Sequence, residues 1–235
     1  MLTLRRSEDR GHFDFGWVDT RHTFSFGEYS DPAHQQFHAL RVINEDVVAP
    51  GTGFGTHGHK DMEILTWVLE GALEHQDSLG AKGTKGIIKL GEAQVMSAGT
   101  GIRHSEYNGS KTEPVHFLQI WMLPEAAGLE PRYDQVSFPD ERFRNTWGLI
   151  ASREGVDGSV VVFQDLKIHV ARLDAGAQLT RDLTPARFGW LHVAKGSVVA
   201  NGQALKAGDA LALEAESKLD MKASDVSEVL FFDLE

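Results

Sequence analysis

Apolar positions along this chain fall in short runs, many of them β-branched or alternating with polar residues, and glycine repeatedly closes one run and opens the next. A period of two sends successive side chains to opposite faces of an extended strand, whereas an amphipathic helix needs apolar positions three and four apart over ten or more residues. Long stretches of the second kind are scarce, so the pattern predicts an all-β chain. Strands are expected over 37–50, 63–71, 71–78, 86–91, 92–99, 103–109 and 115–123, and again over 158–164, 167–176, 188–202, 204–214, 217–223 and 227–235. Such runs, evenly spaced between turn signals, are the habit of sandwiches and barrels.

The rhythm breaks at "LPEAAGLEPRYDQVSFPDERF" (123–143), which carries three prolines and five acidic residues. That break predicts one domain over 1–125, a connector over 126–149 and a second domain over 150–235. The halves also resemble each other. "TWVLEGALEH" runs on to "LGEAQVMSAG" in the first, and "LHVAKGSVVANG" runs on to "LKAGDALALEA" in the second. Both read as apolar strand, glycine turn, strand and a later glycine-led strand, a weak internal repeat that supports two copies of one fold.

Composition narrows the function classes. The chain has 235 residues, enough for two domains with cores of their own. Lys plus Arg is 23 against 34 Asp plus Glu, a net charge of −11, which disfavours direct binding to nucleic acid or an anionic membrane. There is no cysteine, so any metal must be held by histidine, carboxylate or water. The N-terminus lacks the apolar core of a signal peptide, and no run approaches the roughly 18 apolar residues of a membrane span. A cytoplasmic protein is expected.

Within "GTHGHKDMEILTWVLEG" (55–71), His57 and His59 stand two apart. On an extended strand such residues share a face about 7 Å apart at Cα, which suits two neighbouring positions on one metal ion. Gly51, Gly53, Gly55 and Gly58 leave the backbone nearby bare enough for a ligand or ion to approach. "SAGTGIRHSEYN" (97–108) repeats the spacing with His104 and Glu106. Three imidazoles and a carboxylate suit a first-row transition metal with open positions, since Ca²⁺ and Mg²⁺ prefer all-oxygen shells. Iron is the first choice, with Mn, Ni, Cu and Zn as alternatives. The ordinary reading of one His-x-His pair is a polar loop; two pairs at strand period favour the metal. Glu63 is the rival carboxylate, either a strand-end charge neutralised by a neighbour such as Lys60, a fifth ligand, or an acceptor for an imidazole N–H. His12, His22, His34, His38, His75, His169 and His192 read as structural, while His116 could face the same interior.

"GFGTHGHKDMEILTWVLEGALEHQDSLG" followed by "MSAGTGIRHSEYN" resembles the pirin family of bicupins, in particular its bacterial branch with quercetinase activity. The likeness extends over "RGHFDFGWVDTRHTFSFGEYSDP" (10–32), "ALRVINEDVVAPGTGFGTHGHKDMEI" (39–64) and "HFLQIWMLPEAAGLEPRYDQ" (116–135), nearly the whole chain. Against the first cupin motif the chain supplies Gly51, His57, His59, Glu63 and Gly71. Against the second it supplies Gly91, Gly99, His104 and Asn108, with Ser97 in place of the usual proline and two extra residues between Gly99 and His104. The resemblance implies two jelly-roll-like β-barrels facing each other, with metal in the N-terminal one only, held by His57, His59, His104 and Glu106. Counting from Gly196 as from Gly71 puts Asp182 and Thr184 at the places of His57 and His59. Counting from Gly208 as from Gly91 puts Met221 and Ala223 at those of His104 and Glu106. No ligand survives in that alignment.

The resemblance further implies a metal-dependent dioxygenase that opens a flavonol ring with O₂ and releases carbon monoxide, Glu106 shifting between ligand and catalytic base. Its rival is a regulatory or redox-sensing pirin that binds a transcription factor or enzyme partner; an isomerase-type or sugar-metal cupin ranks lower. An enzyme needs a flat aromatic pocket beside the metal. Phe54, Met62, Trp67, Phe117 and Trp121 are candidates for its wall, each of which also fits ordinary core.

Overall fold

The computed structural model describes residues 1–79 and 83–235, and nearly all regular structure in it is strand. The described residues form two compact units. One comprises Gly11–Ser137 with Val160–Gln164; the other comprises Met1–Arg10, Phe138–Ser159 and Asp165–Glu235. In chain order, β1 (Leu2–Arg5) belongs to the second unit. The first unit then supplies β2 (Gly11–Asp14), β3 (Val18–His22), β4 (Leu40–Val48), β5 (Gly53–His59), β6 (Glu63–Glu70), β7 (Ala72–Asp77), β8 (Lys85–Lys89), β9 (Glu92–Ser97), β10 (Ile102–Asn108), β11 (Val115–Met122) and β12 (Arg132–Ser137). After them come β13 (Gly148–Ser152), the short β14 (Val160–Val161) of the first unit, β15 (Leu166–Leu173), β16 (Gln178–Asp182), β17 (Phe188–Lys195), β18 (Ser197–Ala200), β19 (Gln203–Lys206), β20 (Ala210–Glu214), β21 (Lys218–Ala223) and β22 (Ser227–Leu234).

The first unit orders its strands β12-β9-β6-β11-β4-β3-β2 in one sheet and β5-β10-β7-β8 in another. The second orders β1-β20-β17-β22-β15-β13 and β16-β21-β18-β19. Apart from β2, the two orders match position for position, so the weak repeat in the sequence is a duplicated jelly-roll fold built from antiparallel sheets, not from closed barrels. The hinge glycines show the same correspondence. Gly71 alone separates β6 from β7 and Gly196 alone separates β17 from β18, at φ +78° and +73°. A Cβ there would also meet the carbonyl oxygen of Pro114 at 2.9 Å, or of Val226 at 2.1 Å, so both positions need glycine on two counts.

Two features differ from the sequence reading. Arg132–Ser137, inside the expected connector, is an edge strand paired residue by residue with β9. Pro131 and Pro139 flank it as turn signals, and they masked the six strand residues between them. The N-terminal strand β1 pairs with β20 and not with any strand of residues 11–137, so the units do not divide the chain at one point.

Burial follows the sheets. Every residue of β6 except Glu70 is buried, as befits a strand covered on both faces. In the second unit Leu191, Leu211, Leu213, Leu219, Val229 and Phe231 form one core, each worth roughly 1.5–3 kcal/mol when fully buried. Among the described residues no helix is long and apolar enough to cross a membrane.

Candidate metal centre

Strand β10 reads I-R-H-S-E-Y-N, and its burial alternates without a break: Ile102, His104, Glu106 and Asn108 point inward. Three of those four side chains are polar, an expensive face to bury unless each finds a partner. Strand β5 supplies partners. It runs antiparallel to β10 with His57 opposite His104 and His59 opposite Ile102, so His59 stands two residues along on the same face. One extra residue in β5 between those pairs and Phe54 opposite Glu106 makes a bulge beside the site, a usual device for re-aiming side chains.

The three imidazoles converge through Nε2. His104 Nε2 lies 2.8 Å from His59 Nε2 and 3.0 Å from His57 Nε2. The three ligand atoms all lie within 4.8 Å of one another. His57 Nδ1 donates to the Gly55 carbonyl at 2.8 Å, which leaves its Nε2 as a lone pair. His104 Nδ1 is 3.1 Å from His75 Nε2, and a proton there likewise frees His104 Nε2. Burial, and then the neighbouring imidazoles, hold His59 at about 4 and His104 at about 2, so both are neutral near pH 7. Lone pairs facing one another repel unless a cation lies between them. Two nitrogens each about 2.05 Å from one ion at a right angle are about 2.9 Å apart. The observed separations match, and the donor set fits a divalent transition metal.

Glu106 faces the same interior, 3% exposed, but its carboxylate is not part of this group. Both oxygens accept from Gln119 Nε2 at 2.9 Å, and Thr66 Oγ1 donates to Gln119 Oε1 at 3.0 Å. Burial, with Asp46 adding to it, pushes the Glu106 carboxyl up to about 7 against the opposing effect of Gln119.

Glu63 opens β6, as a strand-end residue, and is outside the histidine group. It is buried, accepts from Ser97 Oγ at 2.8 Å and from the Phe163 N–H at 3.2 Å, and so ties β9 and the 160–164 segment to β6. His116 pairs with Glu45 at 3.1 Å and stays outside the histidine group. Of the glycines around His57, Gly53 is bare for the neighbouring strand, since a Cβ on it would meet Glu106 O at 2.2 Å, whereas one on Gly55 or Gly58 meets only ordinary contacts.

His75 is the member that sequence reasoning left as structural. It is 1% exposed on β7, directly opposite Glu106 in register, with Tyr133 stacked on it at 5.2 Å. Its Nδ1 lies 4.0 Å from Asp77 Oδ2, beyond hydrogen-bond distance. The signal in the sequence was His75 and Asp77 at strand period, the same spacing as His57 and His59.

A cavity of about 280 Å³ opens beside His57 and Glu106. Phe54 and Trp121 line it as expected, but Trp67 and Phe117 are wholly buried in core and Met62 packs against Ile64, Met96 and Ile102. The missing wall is the β2–β3 hairpin, whose Phe13, Phe15 and Trp17 alternate at strand period. Trp17 meets Phe54 edge-on at 5.0 Å, and Trp121 meets His59 edge-on at 4.8 Å.

The chain is similar to known proteins over its whole length. Residues 3–122 match the Pirin family model, and residues 149–234 match that of the quercetinase C-terminal cupin domain. The chain is 48% identical to the quercetin 2,3-dioxygenase of Escherichia coli K12, over 100% of this chain and 99% of that one. It is 42% identical to a putative quercetin 2,3-dioxygenase of Pasteurella multocida, over the full length of both. Among solved structures, the E. coli bacterial pirin YhhW in complex with nickel(II) superposes with a TM-score of 0.93 at 48% identity, covering 100% of this chain and 99% of that one.

Proposed function

The chain belongs to the pirin family, and from that premise we propose that it is a metal-dependent dioxygenase of the quercetinase type, opening a flavonol with O₂ and releasing carbon monoxide. His57, His59 and His104 would hold the metal, with Glu106 as the fourth ligand. Iron is the first candidate and Mn, Ni, Cu and Zn are the alternatives; the nickel complex of the E. coli relative supports a divalent ion without choosing among them. Bound there, the metal would supply Lewis acidity toward the 3-hydroxyl of the flavonol and a path for electrons between substrate and dioxygen.

The observation that carries the reading is the shared cavity: one opening with an aromatic wall reaches both His57 and Glu106. Phe13, Phe15, Trp17 and Phe54 offer flat apolar surface for a fused-ring substrate and keep water from it. Glu106 takes the proton of the 3-hydroxyl. Its carboxyl, raised to about 7 by burial, is a far better base than an exposed one, and Gln119 holds both oxygens in place. The balance closes with flavonol and O₂ giving a ring-opened ester and CO.

The test is metal analysis of the purified protein together with oxygen uptake and carbon monoxide release on quercetin, before and after chelation. Stoichiometric metal and chelator-sensitive production of CO are expected, and His104→Ala removes both. Stoichiometric metal without turnover under any reconstituting ion refutes the dioxygenase and leaves the regulatory reading.

A further inference from the structure

The second unit has a cavity of its own, about 710 Å³, lined from β13, β15 and β16. Those strands take the places of β3, β4 and β5 in the duplicated order. Register carries the match to single residues. His57 faces His104 across the β5–β10 ladder, and Arg181 faces Leu219 across β16–β21. Counting along β7 and β18 from the hinge glycines makes Leu219 the counterpart of His104 and Met221 that of Glu106. Arg181 therefore stands where the first unit has His57. In the same way, Asn44 pairs with Gln119 on one side and His22 on the other, while His169 pairs with Phe231 and Leu149. His22, Asn44 and His57 line the first cavity; their counterparts Leu149, His169 and Arg181 line the second. The fold has kept the opening and replaced the imidazole that reaches it with a guanidinium.

The inner groups of this second cavity have N–H groups to give and little to accept with. Trp147 and Arg181 are donor-only side chains, and a neutral His169 adds one N–H. Trp147 Nε1, Arg181 Nε and His169 Nδ1 are buried without a hydrogen-bond partner, and His169 is only 8% exposed. Burial, and then the cations Arg181, Lys167 and Arg142, press His169 down to about 3, which shows how little of that positive field is answered locally. Arg142 spends its N–H groups on the carbonyls of Leu149 and Asp157. Arg181 lies over the Phe231 ring, and its one carboxylate, Asp233, is 3.6 Å away and shared with Arg187. The acidic groups of the lining, Glu141 and Asp157, are exposed at the rim.

We propose that this cavity binds a small organic carboxylate, its two oxygens on Arg181 and Trp147 and its apolar body against Leu149 and Val156. A planar guanidinium with a free Nε edge matches a carboxylate in fork geometry, and the apolar wall favours an organic acid over a bare inorganic anion. The inference is independent of what the first unit catalyses.

Benzoate is the probe and benzyl alcohol its uncharged control, titrated into the full metal-loaded chain. Binding is read by calorimetry and by the indole N–H resonance of Trp147, assigned through Trp147→Phe. Benzoate is expected to move that resonance saturably, benzyl alcohol to leave it unmoved, and Arg181→Gln to weaken benzoate about tenfold or more, the loss of a charge-assisted hydrogen bond. His57→Ala leaves benzoate binding intact, which separates this site from the metal cavity. Should Arg181→Gln fail to fold, the exposed Lys167→Gln decides, with affinity expected to fall a few-fold by loss of a rim charge. The proposal is overturned if the Trp147 resonance is unmoved up to the solubility of benzoate. It is equally overturned if the alcohol moves the resonance as well as the acid does, if inorganic phosphate binds more tightly than benzoate, or if the folded charge variant binds as the parent does.

Discussion

Replacing His75 with phenylalanine tests whether the histidine group is poised by a residue that never reaches the metal. Phenylalanine keeps a flat ring against Tyr133, 5.2 Å away, and removes both nitrogens: Nε2, which faces His104 Nδ1 at 3.1 Å, and Nδ1, which has no hydrogen-bond partner to lose. Without metal, the His104 ring can shift its proton to Nε2 and share it with His57 or His59, 3.0 and 2.8 Å away, so little stability is lost. With metal, Nε2 must be a lone pair and the proton must sit on Nδ1, now buried with no acceptor. An unsatisfied buried donor costs about 1–3 kcal/mol, and at 1.4 kcal/mol per decade that weakens metal binding roughly 5- to 150-fold. Outer partners of metal-bound histidines have effects of about 10- to 100-fold, in the same range. Affinity is measured by competition with a chromophoric chelator, and the metal-free melting temperature alongside it. His75→Gln, whose Oε1 can accept from Nδ1, restores most of the affinity. The reasoning fails if the Phe variant folds and binds metal within twofold of the parent, if Gln gives no rescue, or if the whole effect appears in the metal-free melt.

Two other substitutions probe the scaffold around the site. Gly53→Ala drives a Cβ into Glu106 O and Tyr107 Cα, at 2.2 and 2.5 Å, so β5 must leave β10 and take His57 and His59 away from His104; metal content after dialysis should fall well below stoichiometric, and full retention would show that the ladder yields elsewhere. Glu63 has its carboxyl pKa raised by burial, so the folded state holds that proton more tightly than the unfolded one and stability is lost as pH rises from the unfolded value through the folded one. Glu63→Gln, which still offers Oε1 to Ser97 and Phe163, should therefore gain on the parent in melting temperature at neutral pH and lose that advantage below about pH 4.5, the ordinary carboxyl value; a gap independent of pH would refute the titration argument.

Strand period made most of the site legible. His57 with His59, and His104 with Glu106, share faces because β5 and β10 are extended, and that needs only local sequence. Which side chain then meets which depends on contacts between strands 13 to 47 residues apart along the chain, and periodicity has nothing to say about it. Gln119, which donates to both carboxylate oxygens of Glu106, comes from β11 in the other sheet. His75 comes from β7 on the far side of β10. The aromatic wall from Phe13 to Trp17 is a hairpin that ends a sheet, and its alternation was visible, but its place over the metal group was not.

The second unit shows how the same limit misplaces residues even when the fold is read correctly. Fourteen residues separate His57 from the hinge Gly71, but fifteen separate Arg181 from Gly196; thirteen separate Gly91 from His104, but eleven separate Gly208 from Leu219. Counting from glycines therefore lands one residue late on β16 and two late on β21. Asp182 faces outward and Thr184 is exposed beyond the strand, while Met221 and Ala223 hold the places of Glu106 and Asn108. The slippage lies between strands, where a residue more or less costs little, and the ladders absorb none of it because a shift of one would turn every inward side chain to solvent. A duplicated fold can thus change a metal group into an arginine-lined cavity by substitution within conserved ladders, while its loops drift enough to hide the correspondence from the sequence.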